Sequence, residues 1–116
     1  MTMLSGNPRM TDAEFESMAD ATLAAVARAL DKTGIDADVE AKGTGVLELE
    51  FADGSKMVIN RHTAARELWV AARSRGFHYR YEDGKWRDTR DRSEFFAALS
   101  RLFTAQGGTP VILAPG

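Results

Sequence analysis

Cysteine is absent from this 116-residue sequence, and several classes of site are absent with it. A chain without thiols cannot form disulfides, thiolate-held zinc sites or cysteine-ligated iron–sulfur clusters, and it has no cysteine nucleophile. No apolar run is long enough to span a bilayer, and no signal peptide pattern is present. The motifs of serine hydrolases, phosphate-binding loops and dinucleotide sites are also missing. We therefore expect a cytoplasmic protein that is not an enzyme and has no membrane partner.

Composition predicts one folded domain behind a short tail. Hydrophobic residues make up 44% of the chain and charged residues 28%, which is typical of a soluble domain with its own core. Residues 1–9 show no hydrophobic period, so we predict a disordered tail there and a single domain over residues 10–116. Met10 is an alternative start of the natural chain.

The acidic residues are unevenly distributed along the chain. Eleven of the 17 Asp and Glu residues lie in the first 60 positions, whereas ten of the 15 Lys and Arg residues lie in the remainder. Eight of these acids fall on a predicted first helix or on the strand predicted after it: Asp12, Glu14, Glu16, Asp20, Asp31, Asp36, Asp38 and Glu40. Like charges gathered in this way repel each other. The pattern therefore predicts a surface that attracts a hard metal ion or a basic protein patch.

A first amphipathic helix is predicted over about residues 12–32. Thr11 and Glu14 have the spacing of a capping box, which satisfies free N–H groups at a helix start. Apolar residues then recur with a 3.6-residue period, and Gly34 is a suitable stop.

A second amphipathic helix is predicted over about residues 93–106. Asp91 and Glu94 repeat the capping-box spacing before it, and two glycines follow it. Phe95, Leu99 and Phe103 are among the residues of its expected buried face.

Between the two helices the hydrophobic period changes to two. From Leu47 to Phe51, apolar residues alternate with Glu48 and Glu50, which predicts a strand with one buried and one wet face. Glycine-containing tight turns are predicted at positions 43–45, 53–54 and 83–84. Consecutive hairpins give an antiparallel meander. Two helices packed on its apolar face make a two-layer α+β sandwich.

The segment over residues 63–73 is ambiguous. It is rich in helix formers, so propensity alone predicts a third helix. Tertiary context often overrides propensity, and the residues by themselves leave helix and strand open.

A series of short motifs resembles the bacterial frataxin family, the CyaY proteins. The motifs follow one another between residues 10 and 106: Thr11-Asp12-Ala13-Glu14-Phe15, Gly45-Val46-Leu47, Asp53-Gly54-Ser55-Lys56, Ile59-Asn60-Arg61, Trp69, Gly76-Phe77-His78-Tyr79 and Trp86. None is specific alone, but their order and spacing are. The resemblance implies a frataxin-like fold of helix, antiparallel sheet of five to seven strands, and helix. The resemblance also implies that residues 67–72 form a strand, with Leu68 and Val70 toward the core and Trp69 on the open face.

The resemblance also implies a function. Members of this family bind ferrous and ferric iron weakly and dock onto the cysteine desulfurase and scaffold protein that assemble iron–sulfur clusters. By this resemblance the chain is an iron-dependent regulator or iron chaperone of that assembly. We expect it to be a monomer when iron-free.

The implied iron ligands are acids of the first helix and first strand, namely Glu16, Asp20, Asp31, Asp36, Asp38 and Glu40. Carboxylate oxygens suit hard cations, and with no His or Cys beside them the ion would be held weakly. Arg28 and Lys32 flank Asp31 and would compete with a bound cation, so we predict fewer or weaker ions than in a more acidic relative. A merely solvated, charged surface is the alternative.

Four residues are predicted to contact protein partners: Asn60, Trp69, Asp12 and Glu14. Trp69 is expected on the wet face of the sheet beside Asn60, where an exposed aromatic can anchor a partner. The alternative is a tryptophan half-buried for packing. Trp86 is predicted to pack beside its hairpin.

The two histidines, His62 and His78, are too few and too far apart in sequence to predict a metal site. We expect both to be ordinary surface residues, and haem ligation by either is left open.

The basic second half suggests a different function, that of a single-stranded RNA-binding module. Arginines such as Arg87 and Arg90 accompany Phe77, Tyr79 and Tyr81, and aromatics with basic neighbours are typical of sheet-face RNA binders. These aromatics fall, however, on the face that the helices should cover. We therefore expect no nucleic-acid partner.

Overall fold

A helix, six strands and a second helix follow one another in the computed structural model, which describes residues 10–108 and 110–114. The elements are α1 (Asp12–Thr33), β1 (Ala37–Ala41), β2 (Val46–Phe51), β3 (Lys56–His62), β4 (Glu67–Ala71), β5 (Gly76–Glu82), β6 (Lys85–Asp88) and α2 (Phe95–Gly107). The strands form one antiparallel sheet in sequence order. Both helices pack on the same face of this meander, so the predicted α+β sandwich is confirmed. The tail predicted over residues 1–9 lies outside the described residues.

Both ends of α1 are those that the sequence predicts. The Thr11 hydroxyl accepts a hydrogen bond from Glu14 N (3.1 Å), and the Glu14 carboxylate accepts one from Thr11 N (2.8 Å). Gly34 ends the helix in the left-handed conformation, with φ of 68°. The buried face is formed by Phe15, Ala19, Leu23, Val26, Ala29 and Leu30. None of the described helices is long and apolar enough to cross a bilayer.

The start of α2 differs from the prediction. Glu94 alone is the cap, and its carboxylate accepts hydrogen bonds from the backbone N–H groups of Phe96 and Ala97. Asp91 instead accepts from Ser93 N (2.8 Å) in the preceding turn. The predicted start is two residues early because Glu94 is still extended and forms a bridge with Arg87 of β6. The helix can begin only after that bridge.

Residues 67–71 form strand β4, so the prediction of a third helix from propensity is wrong. The strand lies between β3 and β5 and pairs with both. Leu68 and Val70 are fully buried, whereas Trp69 lies on the open face. Hydrogen bonds to two neighbouring strands and burial of two aliphatic side chains outweigh the small intrinsic helix preference of this segment.

Trp86 joins the sheet to α1, which confirms its predicted packing role. Its ring meets Phe15 edge to face at 6.0 Å, and its Nε1 donates a hydrogen bond to Thr22 Oγ1 (3.0 Å). At the C-terminal end of the described chain, Val111 and Leu113 extend the core beside α2. Leu113 N donates to the hydroxyl of Ser100 on that helix (2.8 Å).

Candidate functional site

The six predicted iron ligands lie on three separate parts of the helix and strand edge. Glu16 and Asp20 lie on α1 toward β3, Asp31 lies near the C-terminal end of α1, and Asp36 directly precedes β1. Asp38 and Glu40 follow on β1 itself. Within residues 10–108 and 110–114, no three His, Asp or Glu side chains are grouped so that they could hold one metal ion. Any ion at this edge would therefore have only one or two carboxylate ligands.

Glu16 and Asp20 face a cation that already belongs to the chain, Arg61 of β3. Arg61 Nη1 lies 3.4 Å from Glu16 Oε1, and Arg61 Nε lies 3.4 Å from Asp20 Oδ1. Nη1 makes no hydrogen bond within the described structure, so its contact with Glu16 is electrostatic only. Glu16 Oε2 also accepts a hydrogen bond from Thr63 Oγ1 (2.9 Å). A metal ion at these carboxylates would have to compete with the guanidinium group.

Asp12 and Glu14, two of the predicted partner residues, are also engaged within the chain. Asp12 Oδ1 lies 2.7 Å from Arg66 Nη2, and Glu14 closes the capping box. Arg66 in turn donates hydrogen bonds to the carbonyl groups of Met10 and Thr63. These contacts attach the start of α1 to the β3–β4 turn. They place Asp12 and Glu14 in the helix layer, away from the open sheet face.

The acids of β1 and β2 oppose one another on the open face. In the strand register Asp38 lies opposite Glu50, and Glu40 lies opposite Glu48. Directly opposed like charges destabilise a sheet. Lysine nitrogens lie 3.3 Å from Glu40 and 4.0 Å from Glu48, but in the described part of the chain Asp38 and Glu50 have no basic nitrogen within 4 Å. A cation bound here would relieve a repulsion that the fold leaves in place.

Two of the predicted ligands, Asp31 and Asp38, line the same cleft between the end of α1 and β1. The cleft has a volume of about 580 Å³, and Leu30 and Val39 are among its apolar lining residues. Arg28 lines it too, so a positively charged side chain shares the cleft with Asp31. The cleft offers two carboxylates in an open, hydrated setting. This arrangement suits a cation that is held loosely and released.

Trp69 is held between two histidines on the open face. The His62 ring is stacked on one side of the indole at 4.0 Å and the His78 ring on the other at 4.6 Å, with interplanar angles of 10° and 13°. The predicted open-face position of Trp69 is confirmed, and the half-burial comes from these neighbours. Both histidines are at least partly exposed, as expected of surface residues, but they are not isolated from each other. They lie on the two strands that flank β4, which their separation in sequence does not show.

Glu67 fixes the orientation of this stack and was missed from the sequence. Its side chain is nearly buried and accepts hydrogen bonds from Trp69 Nε1 (2.9 Å) and Arg80 Nη2 (2.7 Å). His78 Nδ1 lies 3.7 Å from the same carboxylate. A buried carboxylate needs such partners. The two-residue period places Glu67 beside Trp69, but Arg80 is brought in only by the strand register.

Asn60 and Trp69 are directly opposite each other in the register of β3 and β4. Val46 and His78 continue the same row across the sheet. The Asn60 side chain donates a hydrogen bond to the carbonyl of Arg61 (3.1 Å). Of the four predicted partner residues, the structure therefore brings these two together on the open face.

The aromatic residues of β5 are covered by the helix layer, as the sequence predicts. Tyr79 is fully buried, and Phe77 and Tyr81 pack partly buried against the core. Bases cannot stack on rings in this position. The geometry therefore does not favour the RNA-binding alternative.

Comparison with known proteins gives consistent matches along nearly the whole chain. Residues 8–109 match the family described as a frataxin-like domain. The iron–sulfur cluster assembly protein CyaY of Paraburkholderia phymatum is 49% identical over 107 residues, which cover 91% of this chain and 100% of that protein. The protein of the same name from Dechloromonas aromatica is 47% identical over 104 residues, covering 90% and 99%. A solved structure of frataxin from Psychromonas ingrahamii is 33% identical, with a TM-score of 0.84 over 90% of this chain and 99% of that one.

Proposed function

Because this chain belongs to the frataxin-like family, we propose that it acts in iron–sulfur cluster assembly as an iron-dependent regulator or iron chaperone. The observation that carries the proposal is the near full-length similarity to proteins named for that process. In this role the chain is a cytoplasmic binding protein that carries or senses iron and does no chemistry of its own. Iron is its cargo.

We propose that Fe²⁺ or Fe³⁺ binds weakly along the β1 edge, each ion being held by one or two of the carboxylates of Asp31, Asp36, Asp38 and Glu40. The opposed carboxylates of Asp38 and Glu50 support this choice, as does the cleft that Asp31 and Asp38 share. Glu16 and Asp20 contribute less because Arg61 already compensates them.

The proposed partners are the cysteine desulfurase and the scaffold protein. The acids of β1 and β2 and the row of Asn60 and Trp69 lie on one open sheet face. A basic surface of the desulfurase would meet the acids, and the indole would anchor the same complex. Asp12 and Glu14 lie in the helix layer, so we assign them a secondary part in docking. The iron-free protein is proposed to be a monomer.

Charge-removing variants test where iron binds. We expect Asp31→Asn combined with Asp38→Asn to abolish most of the amide shifts that Fe²⁺ induces under anaerobic conditions. The matched control is Glu16→Gln combined with Asp20→Asn, which removes the same charge and should leave most of that response. If the iron-induced shifts were lost in the control and kept in the variant of Asp31 and Asp38, iron would instead bind at Glu16 and Asp20.

Assembly assays test the function itself. Adding this protein to a purified desulfurase and scaffold should change the rate of cluster formation, and the change should depend on Fe²⁺ concentration. Trp69→Ala should weaken binding to the complex, whereas Tyr81→Phe, a change on the helix-covered face of the sheet, should not. An unchanged rate at every iron concentration, together with no binding, would remove the proposed role.

A further inference from the structure

A second cleft lies on the helix-covered side of the sheet, and none of the predicted iron ligands or partner residues lines it. It encloses about 180 Å³ beside β5, α2 and the loop that joins β6 to α2. Its polar lining consists of Arg75, Tyr79, Asp88, Asp91, Ser93 and Arg101. At roughly 30 Å³ for each water, the volume corresponds to about six water molecules. The cleft is therefore large enough for a small organic molecule.

The Tyr79 hydroxyl is a hydrogen-bonding group without a partner. The residue is fully buried, and its hydroxyl neither donates a hydrogen bond to any described atom of the protein nor accepts one. The ring is held edge to face against Phe95 at 5.1 Å. Burial, together with the charges of Asp88 and Asp91, raises the pKa of the phenol well above its usual range, so the hydroxyl keeps its proton. Since buried polar groups are nearly always paired, this donor calls for an acceptor that the described residues do not supply.

Two guanidinium groups at the same cleft also lack acidic partners. In the part of the chain that the structure describes, neither Arg75 nor Arg101 has a carboxylate oxygen within 4 Å. The Arg75 guanidinium instead lies 4.8 Å from the centre of the Phe77 ring. Both arginines are exposed at the surface, whereas the Tyr79 hydroxyl is buried, so a ligand must displace side chains at the cleft to reach it. Arginine and a phenol O–H are the donors that a carboxylate prefers.

The carboxylates of the cleft are fixed in place by backbone donors. Asp88 Oδ1 accepts hydrogen bonds from Arg90 N (2.6 Å) and Asp91 N (3.2 Å), and Asp91 Oδ1 accepts one from Ser93 N (2.8 Å). The hydrogen bonds from Ser93, supported by the nearby arginines, lower the pKa of Asp91, which keeps it ionised. A simple anion would be repelled by these two carboxylates, and a simple cation by the two guanidiniums. A molecule that carries both charges matches both pairs.

We propose that this cleft binds a small zwitterion of the α-amino-acid class. Its carboxylate is bound by Arg75, Arg101 and the Tyr79 hydroxyl, and its ammonium group faces Asp88 and Asp91. The site is independent of iron and of the proposed assembly role.

Titration of the full chain with four probes tests the proposal. L-Alanine carries both charges, propionate only the carboxylate, ethylamine only the ammonium, and inorganic phosphate is a purely anionic probe. We expect saturable amide shifts with L-alanine, in the millimolar range suited to so small a ligand, in β5, residues 88–93 and α2. The other three probes should bind at least about tenfold more weakly.

Substitutions of two residues that line the cleft test whether the ligand binds there. Tyr79→Phe should weaken L-alanine binding about tenfold while leaving the fold intact, since the lost hydroxyl has no hydrogen-bond partner among the described residues. Tyr81→Phe, on the same strand and the same face, is the matched control and should bind normally. Arg101→Gln changes an exposed side chain and should reproduce the tenfold loss even if Tyr79→Phe fails to fold.

Three outcomes would overturn the assignment. The first is that L-alanine causes no saturable shifts. The second is that phosphate or propionate binds as tightly as L-alanine, and the third is that the parent chain and Arg101→Gln bind L-alanine with equal affinity. A Tyr79→Phe chain that is destabilised yet binds L-alanine as tightly as the parent chain would show that the hydroxyl serves only a buried water.

Discussion

Replacing Arg61 by methionine is a direct test of how α1 interacts with cations. The guanidinium lies 3.4 Å from a carboxylate oxygen of both Glu16 and Asp20. A divalent ion coordinated by either carboxylate would lie about 6 Å from this charge, where the repulsion is about 1.4 kcal/mol at the dielectric constant of water. This dielectric is appropriate because both carboxylates are nearly half exposed. Arg61→Met should therefore raise the affinity of this helix face for Fe²⁺ roughly tenfold.

The same substitution should change stability little. Methionine keeps most of the length of the side chain and removes Nη1, which in the described structure has no hydrogen-bond partner. The two acids lose an ion pair but remain solvated, so we expect the free energy of unfolding to change by less than about 1 kcal/mol.

An anaerobic Fe²⁺ titration, followed at the amide resonances of Glu16 and Asp20, measures the effect. Arg90→Met is the matched control, because it removes an exposed arginine from the β6–α2 loop and changes the net charge equally. If both variants bind Fe²⁺ alike, or if the gain is confined to Asp31 and Asp38, then Arg61 does not compete with cations at α1 and the reasoning is refuted.

Three further predictions concern stability. Gly45→Ala should destabilise the fold by about 1–3 kcal/mol in denaturant unfolding, because φ is 78° there and the new Cβ would overlap the Arg61 side chain. Gly43→Ala is the control, since φ is similar and no atom lies within 4 Å of the new Cβ, and it should lower the free energy of unfolding clearly less. Equal losses in the two variants would exclude a role for Arg61. Trp86→Phe should cost about 1–3 kcal/mol because it removes the hydrogen bond to Thr22 and part of a buried ring, whereas an unchanged thermal midpoint would contradict that role. Hydrogen bonds from Ser55, with Arg73 nearby, lower the pKa of Asp53 to about 2, so its stabilising contribution is complete above about pH 4 and is lost as the pH falls toward 2. Asp53→Asn should therefore make the free energy of unfolding depend less on pH in that window. A pH dependence parallel to that of the parent chain would contradict this.

Much of the fold could be predicted because it depends on short-range signals. The capping box at Thr11, the left-handed stop at Gly34 and the Asp83-Gly84 turn, where φ is positive at both residues, each involve neighbours in sequence. The two-residue period likewise predicts which residues of β2 face the core. Segment 63–73 is the exception, because its identity as a strand depends on two neighbouring strands that propensity ignores.

The candidate site could be predicted only in part. Residue types showed that the first half is acidic, and the family resemblance implied that Trp69 lies on the open face. They could not show which acids are already compensated, because the partner of Glu16 and Asp20 is an arginine more than 40 positions away. Sequence spacing also missed the stack of His62 and His78 on Trp69, since only antiparallel pairing places those strands side by side.

Outside residues 63–73, the amino-acid sequence by itself thus determined the order of helices and strands and the face that each element buries, and its motifs indicated the family of the chain. The tertiary structure alone decided which charges remain uncompensated and which side chains hold Trp69. It alone also showed that the Tyr79 hydroxyl, which has no hydrogen-bond partner among the described residues, belongs to the same cleft as two arginines. The reason is physical. Capping, turns and periodicity act over a few residues and can be read from spacing, whereas ion pairs, ring stacks and clefts depend on strand register and helix packing, which join residues that are distant in sequence.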